Sequence, residues 1–245
     1  SRRQLFDSVV VEQEFQIHTV PSVLLLEAQM PDEMVSGLNH YLDDLLEEED
    51  RHSHAGTLVG QIGHGEQLTM DHHDSRLEDF VRMSGTLAVE YLKGFASTGN
   101  LIDHRHVEVD ELWSVHSYAG DYNPIHDHGT KTIMGLSCTS WTKVPQQILD
   151  QPTAGSPEYN LYNASGDSDG CLAFQYGLNS IMDVERLRPP QSFVIKPEIG
   201  KFLMFPSWLQ HMVYPFEGEG ERRTVAANFN VWSTDNGGRS TRESH

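Results

Sequence analysis

Between His106 and Trp232 the sequence is a succession of short β-type runs, and that succession restricts what the chain can fold into. His106 to Tyr118, Lys131 to Thr142, Gly170 to Tyr176, Gln191 to Lys196, Lys201 to Phe205, Gln210 to Tyr214 and Arg222 to Trp232 each read as a strand. Gly, Pro, Asn and Asp punctuate them, as turns require. Strands this short bury little on their own and need a second sheet, so the pattern predicts a β-sandwich or open barrel with helices packed outside.

The preceding third mixes strand and helix. Val9 to Val23 alternates as a half-buried strand would (Val9, Val11, Phe15, Ile17, Val20). Pro31-Asp32-Glu33 opens a helix, placing Pro and acids in the first turn, where unpaired N–H groups favour them. Met34, Leu38, Tyr41, Leu42, Leu45 and Leu46 follow at helical spacing, and Glu47 to Asp50 reads as its solvated end. A second helix is expected from Ser75 to Ala96, with Leu77, Phe80, Val81, Leu87, Ala88, Tyr91 and Leu92 on one side. Val144 to Asp169, rich in Pro, Gly, Ser, Asn and Asp, reads as a long lid-like loop, with Trp141, Tyr159 and Tyr162 as candidate substrate-contacting aromatics. Gly237 to His245 reads as a frayed tail. With no internal repeat and no linker, residues 1–245 are expected to form one domain. In it, residues 1–105 are a support region, 106–232 the β core, and 144–169 the lid-like loop.

The charge narrows the function. Seventeen basic against 36 acidic side chains leave a net charge of −19, which repels nucleic-acid phosphates and anionic lipid. No stretch approaches the roughly 18 apolar residues of a membrane helix, and Ser1 to Leu5 lack the apolar block of a signal peptide. Cys138 and Cys171 are too few for a disulfide scaffold and have no Cys-x-x-Cys spacing, so a reducing, cytoplasmic setting is expected. The partners that remain are small-molecule or peptide substrates, with no nucleic acid and no membrane.

Fourteen histidines invite a metal. On a strand, positions i and i+2 share a face, so the imidazoles of His126 and His128 are expected to converge while Asp127 turns away. His211 lies on a different candidate strand and supplies a third imidazole. Three nitrogens with open positions beside them suit catalytic non-heme iron, though also Zn, Cu or Ni. Asp127 would ligate only if the strand were bulged. The pairs His52/His54 and His72/His73 are assigned no role, and His104, His106 and His116 read as surface or core residues. In an extended Arg222-to-Trp232 segment, Arg222, Thr224, Ala226 and Asn228 share a small, polar face carrying one guanidinium, suited to gripping a carboxylate by a bidentate fork. Arg223 falls on the other face and reads as a surface arginine of a charged turn. Tyr118 and Tyr122 could place phenolic donors nearby, or serve only as core.

These segments together resemble a known group. The run Tyr-x-Gly-x-Tyr-x-x-x-His-x-His from Tyr118, then Gly-x-Phe-x-x-Phe-Pro-Ser-x-x-x-His-x-Val-x-Pro from Gly200, then Arg-x-Thr-x-x-x-Asn from Arg222, is similar to the Fe(II)/2-oxoglutarate-dependent oxygenase superfamily and, within it, to bacterial and phage oxygenases with a His-x-His…His pattern. The middle segment is the most specific of the three. The resemblance implies a mainly β fold with flanking helices: a double-stranded β-helix (jelly roll, cupin-like) barrel with iron at its mouth. It implies His126, His128 and His211 as ligands of Fe(II), and Arg222 with Thr224 as the grip on the distal carboxylate of 2-oxoglutarate. Tyr118, Tyr122 and Asn228 would assist. The activity it implies is hydroxylation of a substrate with O2, releasing succinate and CO2. The superfamily at large has Asp or Glu where His128 stands. The substitution removes one negative charge from the metal shell, which would make the ion more electrophilic and hold it less tightly.

Two other readings suit the same residues. A cupin-like three-histidine metalloenzyme would act without 2-oxoglutarate and would have no need of Arg222. A non-catalytic binding protein would keep the barrel alone.

Overall fold

The computed structural model describes residues 23–53, 62–97, 106–151, 168–176 and 192–232. Outside these lie the expected Val9-to-Val23 strand except its last residue, most of the expected lid with Tyr159 and Tyr162, and the Gly237-to-His245 tail. In chain order the elements are β1 (Leu26–Gln29), α1 (Asp32–Glu47), β2 (Glu66–Thr69), α2 (Glu78–Ser97), β3 (His106–Ser117), β4 (Asn123–His126), β5 (Gly135–Lys143), α3 (Gln146–Leu149), β6 (Leu172–Gln175), β7 (Ser192–Ile195), β8 (Lys201–Pro206), β9 (Gln210–Val213) and β10 (Arg222–Trp232). No helix among the described residues is long and apolar enough to cross a membrane.

The strands form two antiparallel sheets, ordered β1-β8-β5-β10-β3-β2 and β4-β9-β6-β7. The chain passes repeatedly from one sheet to the other: β3 to β4, back to β5, over to β6 and β7, back to β8, over to β9, back to β10. This is the jelly-roll weave the motifs implied, but no ladder among the described residues joins the two sheets, so it is an open double-stranded β-helix and not a closed barrel.

Period-two alternation sorts each long strand into two faces. On the large sheet Leu112, Cys138, Phe202, Met204, Val225, Ala227 and Phe229 face outward, where Leu38, Tyr41 and Leu42 of α1 and Phe80, Ala88, Tyr91 and Leu92 of α2 cover them. Trp141, Leu203 and Phe205 face inward and meet Leu172 and Phe174 of the small sheet, with the Phe174 and Phe205 rings 4.8 Å apart edge to face. The helices begin where the sequence places them. Pro31 precedes α1, its carbonyl accepting from Met34 and Val35, and Asp74 caps the short 3-10 turn that leads into α2 by accepting from the Arg76 N–H at 2.8 Å. The expected lid segment is not wholly irregular, since it starts with α3, which buries Ile148.

The outward face also holds a polar network. Arg223, expected at the surface, is only 1% exposed, because α1 covers the face that alternation gives it. Its guanidinium bonds Glu221 through Nε (2.7 Å) and Nη2 (3.0 Å), and reaches Asp43 of α1 at 2.7 Å. His116 joins through Nδ1, 2.6 Å from Glu221 Oε1. Burial opposes the ionisation of Glu221, but the hydrogen bonds from His116 and Arg223 outweigh it and hold the carboxyl at about 2. A depressed carboxyl stabilises the fold fully above its ordinary value near 4.5, and that contribution is lost as pH falls toward 2. Glu221→Gln is therefore expected to cost about 2–3 kcal/mol at pH 7. In urea melts taken down the pH scale, the gap between wild type and variant should close between about 4.5 and 2.

Candidate active site

Strands β4 and β9 lie side by side in the small sheet, and their register sets His126 directly opposite His211. The third imidazole arrives differently from the sequence expectation. β4 ends at His126, so His128 does not share a strand with it; it sits in the connection to β5, fixed by its backbone N–H donating to Ser207 O at 2.9 Å. Ser207 in turn donates to Gly135 O at 3.0 Å, so the turn before β9 ties down both ends of this connection. The ring centroids are 5.1 Å apart for His126 and His128, 4.3 Å for His126 and His211, and 5.0 Å for His128 and His211. One ring nitrogen from each residue lies within 4.8 Å of the others. Asp127 is exposed and is not a member of the cluster.

The tautomers follow from what surrounds the rings. His126 Nδ1 is 2.6 Å from Pro124 O and His211 Nδ1 is 2.9 Å from Leu209 O. A carbonyl only accepts, so both Nδ1 atoms carry the proton and both Nε2 atoms present a lone pair. This is the outer-shell arrangement that orients metal-binding imidazoles. Burial, helped by the neighbouring imidazoles, pulls His128 down to about 3 and His211 to about 4, so both are neutral at physiological pH. His128 Nε2 and His211 Nε2 are 3.2 Å apart, and lone pairs do not face each other at that distance without a proton or a cation between them. The donor set fits a borderline divalent metal.

A cavity of about 430 Å³ opens over this cluster. Its wall is the inward face of β3, β5 and β10: Trp113, Val115, Thr139, Trp141, Thr224 and Ala226. The Trp113 ring is 5.4 Å from that of His128. Glu111, Gln67 and Asp127 add polar groups, and no Lys or Arg side chain is among the lining residues.

Arg222 lies one step beyond Thr224 on the same face of β10, opposite Ser117 of β3. It is 3% exposed, and burial draws it down to about 10, so it stays protonated at neutral pH. Nη1 donates to Gly170 O at 2.7 Å and Nη2 to Ser117 Oγ at a long 3.4 Å, while Nε is buried with no hydrogen-bond partner among the described residues. An uncompensated buried guanidinium is costly. The unpartnered Nε–H beside the weakly bonded Nη2 has the geometry of a fork for a carboxylate, so the fit to a dicarboxylic acid rests on one orphaned donor of this structure.

The other expected cofactor contacts fare differently. Thr224 lines the cavity, but Tyr118, Tyr122 and Asn228, like the Arg222 side chain itself, are not among its lining residues. Tyr118 is 38% exposed beyond the end of β3. Asn228 is spent on neighbours, accepting from Ser137 Oγ at 2.8 Å and donating to Glu111 Oε2 at 3.1 Å. Trp141 is a wall residue at 2% exposure. Sequence reasoning missed Trp113 and Glu111, although the alternation of β3 would have put both on the face opposite Leu112. It also missed Gly170, which acts through its carbonyl and leaves no side-chain signature.

Residues 111–228 match the family described as "Putative 2OG-Fe(II) oxygenase". No curated protein matches the chain. Among solved structures, a prolyl-4-hydroxylase from Pseudomonas putida is similar with a TM-score of 0.53 at 12% identity, over 84% of this chain and 91% of its own. The carbocyclase SnoK from nogalamycin biosynthesis, titled as non-heme and alpha-ketoglutarate dependent, gives 0.55 at 10% identity, over 90% and 89%. AviO1 from Streptomyces viridochromogenes gives 0.51 at 12% identity, over 89% and 92%. At these identities the likeness is one of fold, the double-stranded β-helix.

Proposed function

We propose, from the match of residues 111–228 to the 2OG-Fe(II) oxygenase family, that His126, His128 and His211 hold Fe(II), that Arg222 and Thr224 bind the distal carboxylate of 2-oxoglutarate, and that the protein hydroxylates a small molecule or an exposed peptide side chain with release of succinate and CO2. The observation that carries this reading is the pairing of three converging imidazoles with a buried arginine whose Nε is unmatched, one step beyond the cavity-lining Thr224 on the same face of β10. Three histidines alone suit a cupin-like metalloenzyme equally well; the orphaned Arg222 Nε is what favours a dicarboxylic cosubstrate.

Iron with 2-oxoglutarate and O2 supplies the oxidising chemistry when bound. The chain's part is to place and to shield. Pro124 O and Leu209 O hold the Nδ1 protons of His126 and His211, so that Nε2 is the ligating atom in both. Arg222 supplies fixed positive charge in a dry setting, where a charge-assisted fork is stronger than in water. Trp113, Val115, Leu172 and Val213 give the cavity apolar walls that exclude water and leave room for a substrate group.

Incubation with Fe(II), ascorbate, O2 and 2-oxoglutarate is expected to yield slow succinate formation even without a second substrate. Wild-type protein that consumes no 2-oxoglutarate and shows no affinity for it would remove this assignment. Succinate formation that persists at wild-type rate in Arg222→Ala would remove the arginine from it.

A further inference from the structure

Arg222 is held from outside its own sheet. Its Nη1 donates to the main-chain carbonyl of Gly170, 52 residues away in the chain and two residues before β6 begins. That carbonyl is clamped: the Gly170 N–H donates to Pro215 O at 2.9 Å, and the next carbonyl, of Cys171, accepts from the Tyr214 N–H at 3.0 Å. Residue 170 has φ of +68°, and a Cβ there would collide with Ile148 Cδ1 and stand 3.2 Å from Ile148 Cγ1. Only glycine meets both demands.

In a guanidinium, Nε and Nη2 lie along one edge and Nη1 points away from it. The Gly170 carbonyl occupies Nη1, Ser117 Oγ touches Nη2 only at 3.4 Å, and Nε has no partner among the described residues. Resting on the reading that Arg222 binds 2-oxoglutarate, we infer that Gly170 is a positioning residue for the cosubstrate: its carbonyl fixes Nη1 so that the Nε–Nη2 edge receives the distal carboxylate.

The test uses full-length protein loaded with Zn(II), which is redox-inert and diamagnetic, and two probes. 2-Oxoglutarate carries the distal carboxylate; 2-oxobutyrate has the same 2-oxo acid head without it. By calorimetry, Gly170→Ala is expected to weaken 2-oxoglutarate about tenfold, the scale of one charge-assisted hydrogen bond, and to leave 2-oxobutyrate within about twofold. Equal weakening of both probes, as general damage to the fold would give, or unchanged 2-oxoglutarate affinity, would overturn the proposal. A second measurement needs no variant at Gly170. The Arg222 Nε–H resonance, identified by its loss in Arg222→Lys, should move on adding 2-oxoglutarate and stay put with 2-oxobutyrate. A resonance that does not move at saturating 2-oxoglutarate means the carboxylate takes another edge, and the proposal fails. Arg222→Met separates the two levels of inference. If it abolishes the preference for 2-oxoglutarate while Gly170→Ala does not reduce it, the cosubstrate reading stands and the role of Gly170 falls. If Arg222→Met keeps the preference, both fall.

Discussion

His211→Ala is expected to abolish turnover and to lower affinity for Fe(II) by more than about a hundredfold, since disturbing only the outer partners of a metal-bound histidine already costs roughly ten- to a hundredfold. His211 is the most buried of the three imidazoles, 5% exposed, and packs between Phe174 and Phe205 at centroid distances of 5.9 and 5.1 Å. Its Nδ1 proton is committed to Leu209 O, so the ring cannot swing without breaking that bond. Neither remaining histidine takes over its place, because His126 is pinned by Pro124 O and His128 by its backbone bond to Ser207. Stability of the metal-free protein should change little. The variant gives up one contact between neutral rings, His128 Nε2 to His211 Nε2 at 3.2 Å, worth about 1 kcal/mol as a hydrogen bond, and opens a modest void. Equilibrium dialysis with metal analysis, alongside a thermal melt of the apo form, checks both halves. Iron retained at wild-type affinity would exclude His211 from the ligand set.

The second large effect is expected at Arg222, where function and stability should move in opposite directions. Arg222→Met keeps the length and bulk of the side chain and deletes the charge. Loss of a buried bidentate partner for a carboxylate should weaken 2-oxoglutarate by about 30- to 1000-fold, corresponding to roughly 2–4 kcal/mol. The apo protein carries a buried guanidinium with no carboxylate in ion-pair contact among the described residues and with Nε unsatisfied. Replacing such a charge by an apolar side chain of similar volume is often neutral or stabilising. The Tm of apo Arg222→Met should therefore equal or exceed that of wild type, while its affinity for 2-oxoglutarate collapses. Arg222→Lys is expected to fall nearer to Met than to wild type in affinity, because an ammonium cannot supply the fork. A variant that melts well below wild type would mean that the arginine is structural.

How far these residues could be read from the sequence depends on how local their signals are. α1 shows its Pro-acid start and its apolar stripe within one segment, and the long strands β3, β5 and β10 show enough alternation to declare two faces. That alternation placed Arg222 and Thr224 inward and Arg223 outward, as observed. It said nothing about what would cover the outward face, which is why Arg223 read as a surface residue. β1, β2 and β4 are four residues each, too short for a period to show. The convergence of His126 with His128 was legible, but for a reason that does not hold: the strand stops at His126, and the Ser207 carbonyl, 79 positions downstream of His128, performs the alignment. The double-stranded β-helix was legible in the run of short strands and the motifs they carry, although a count of strands does not say whether the sheet edges meet. Asn228 and the two tyrosines shared a motif with true cavity residues and were carried along by it, although Asn228 turns its amide to Glu111 and Ser137.

Crystals soaked anaerobically with Fe(II) and 2-oxoglutarate, measured on both sides of the iron absorption edge, test the ligand set at its source. A single iron peak at bonding distance from one nitrogen each of His126, His128 and His211, with the far carboxylate of the diacid on the Arg222 guanidinium, is the expected map. Iron held by Asp127 in place of His128, or a diacid bound away from Arg222, would contradict it.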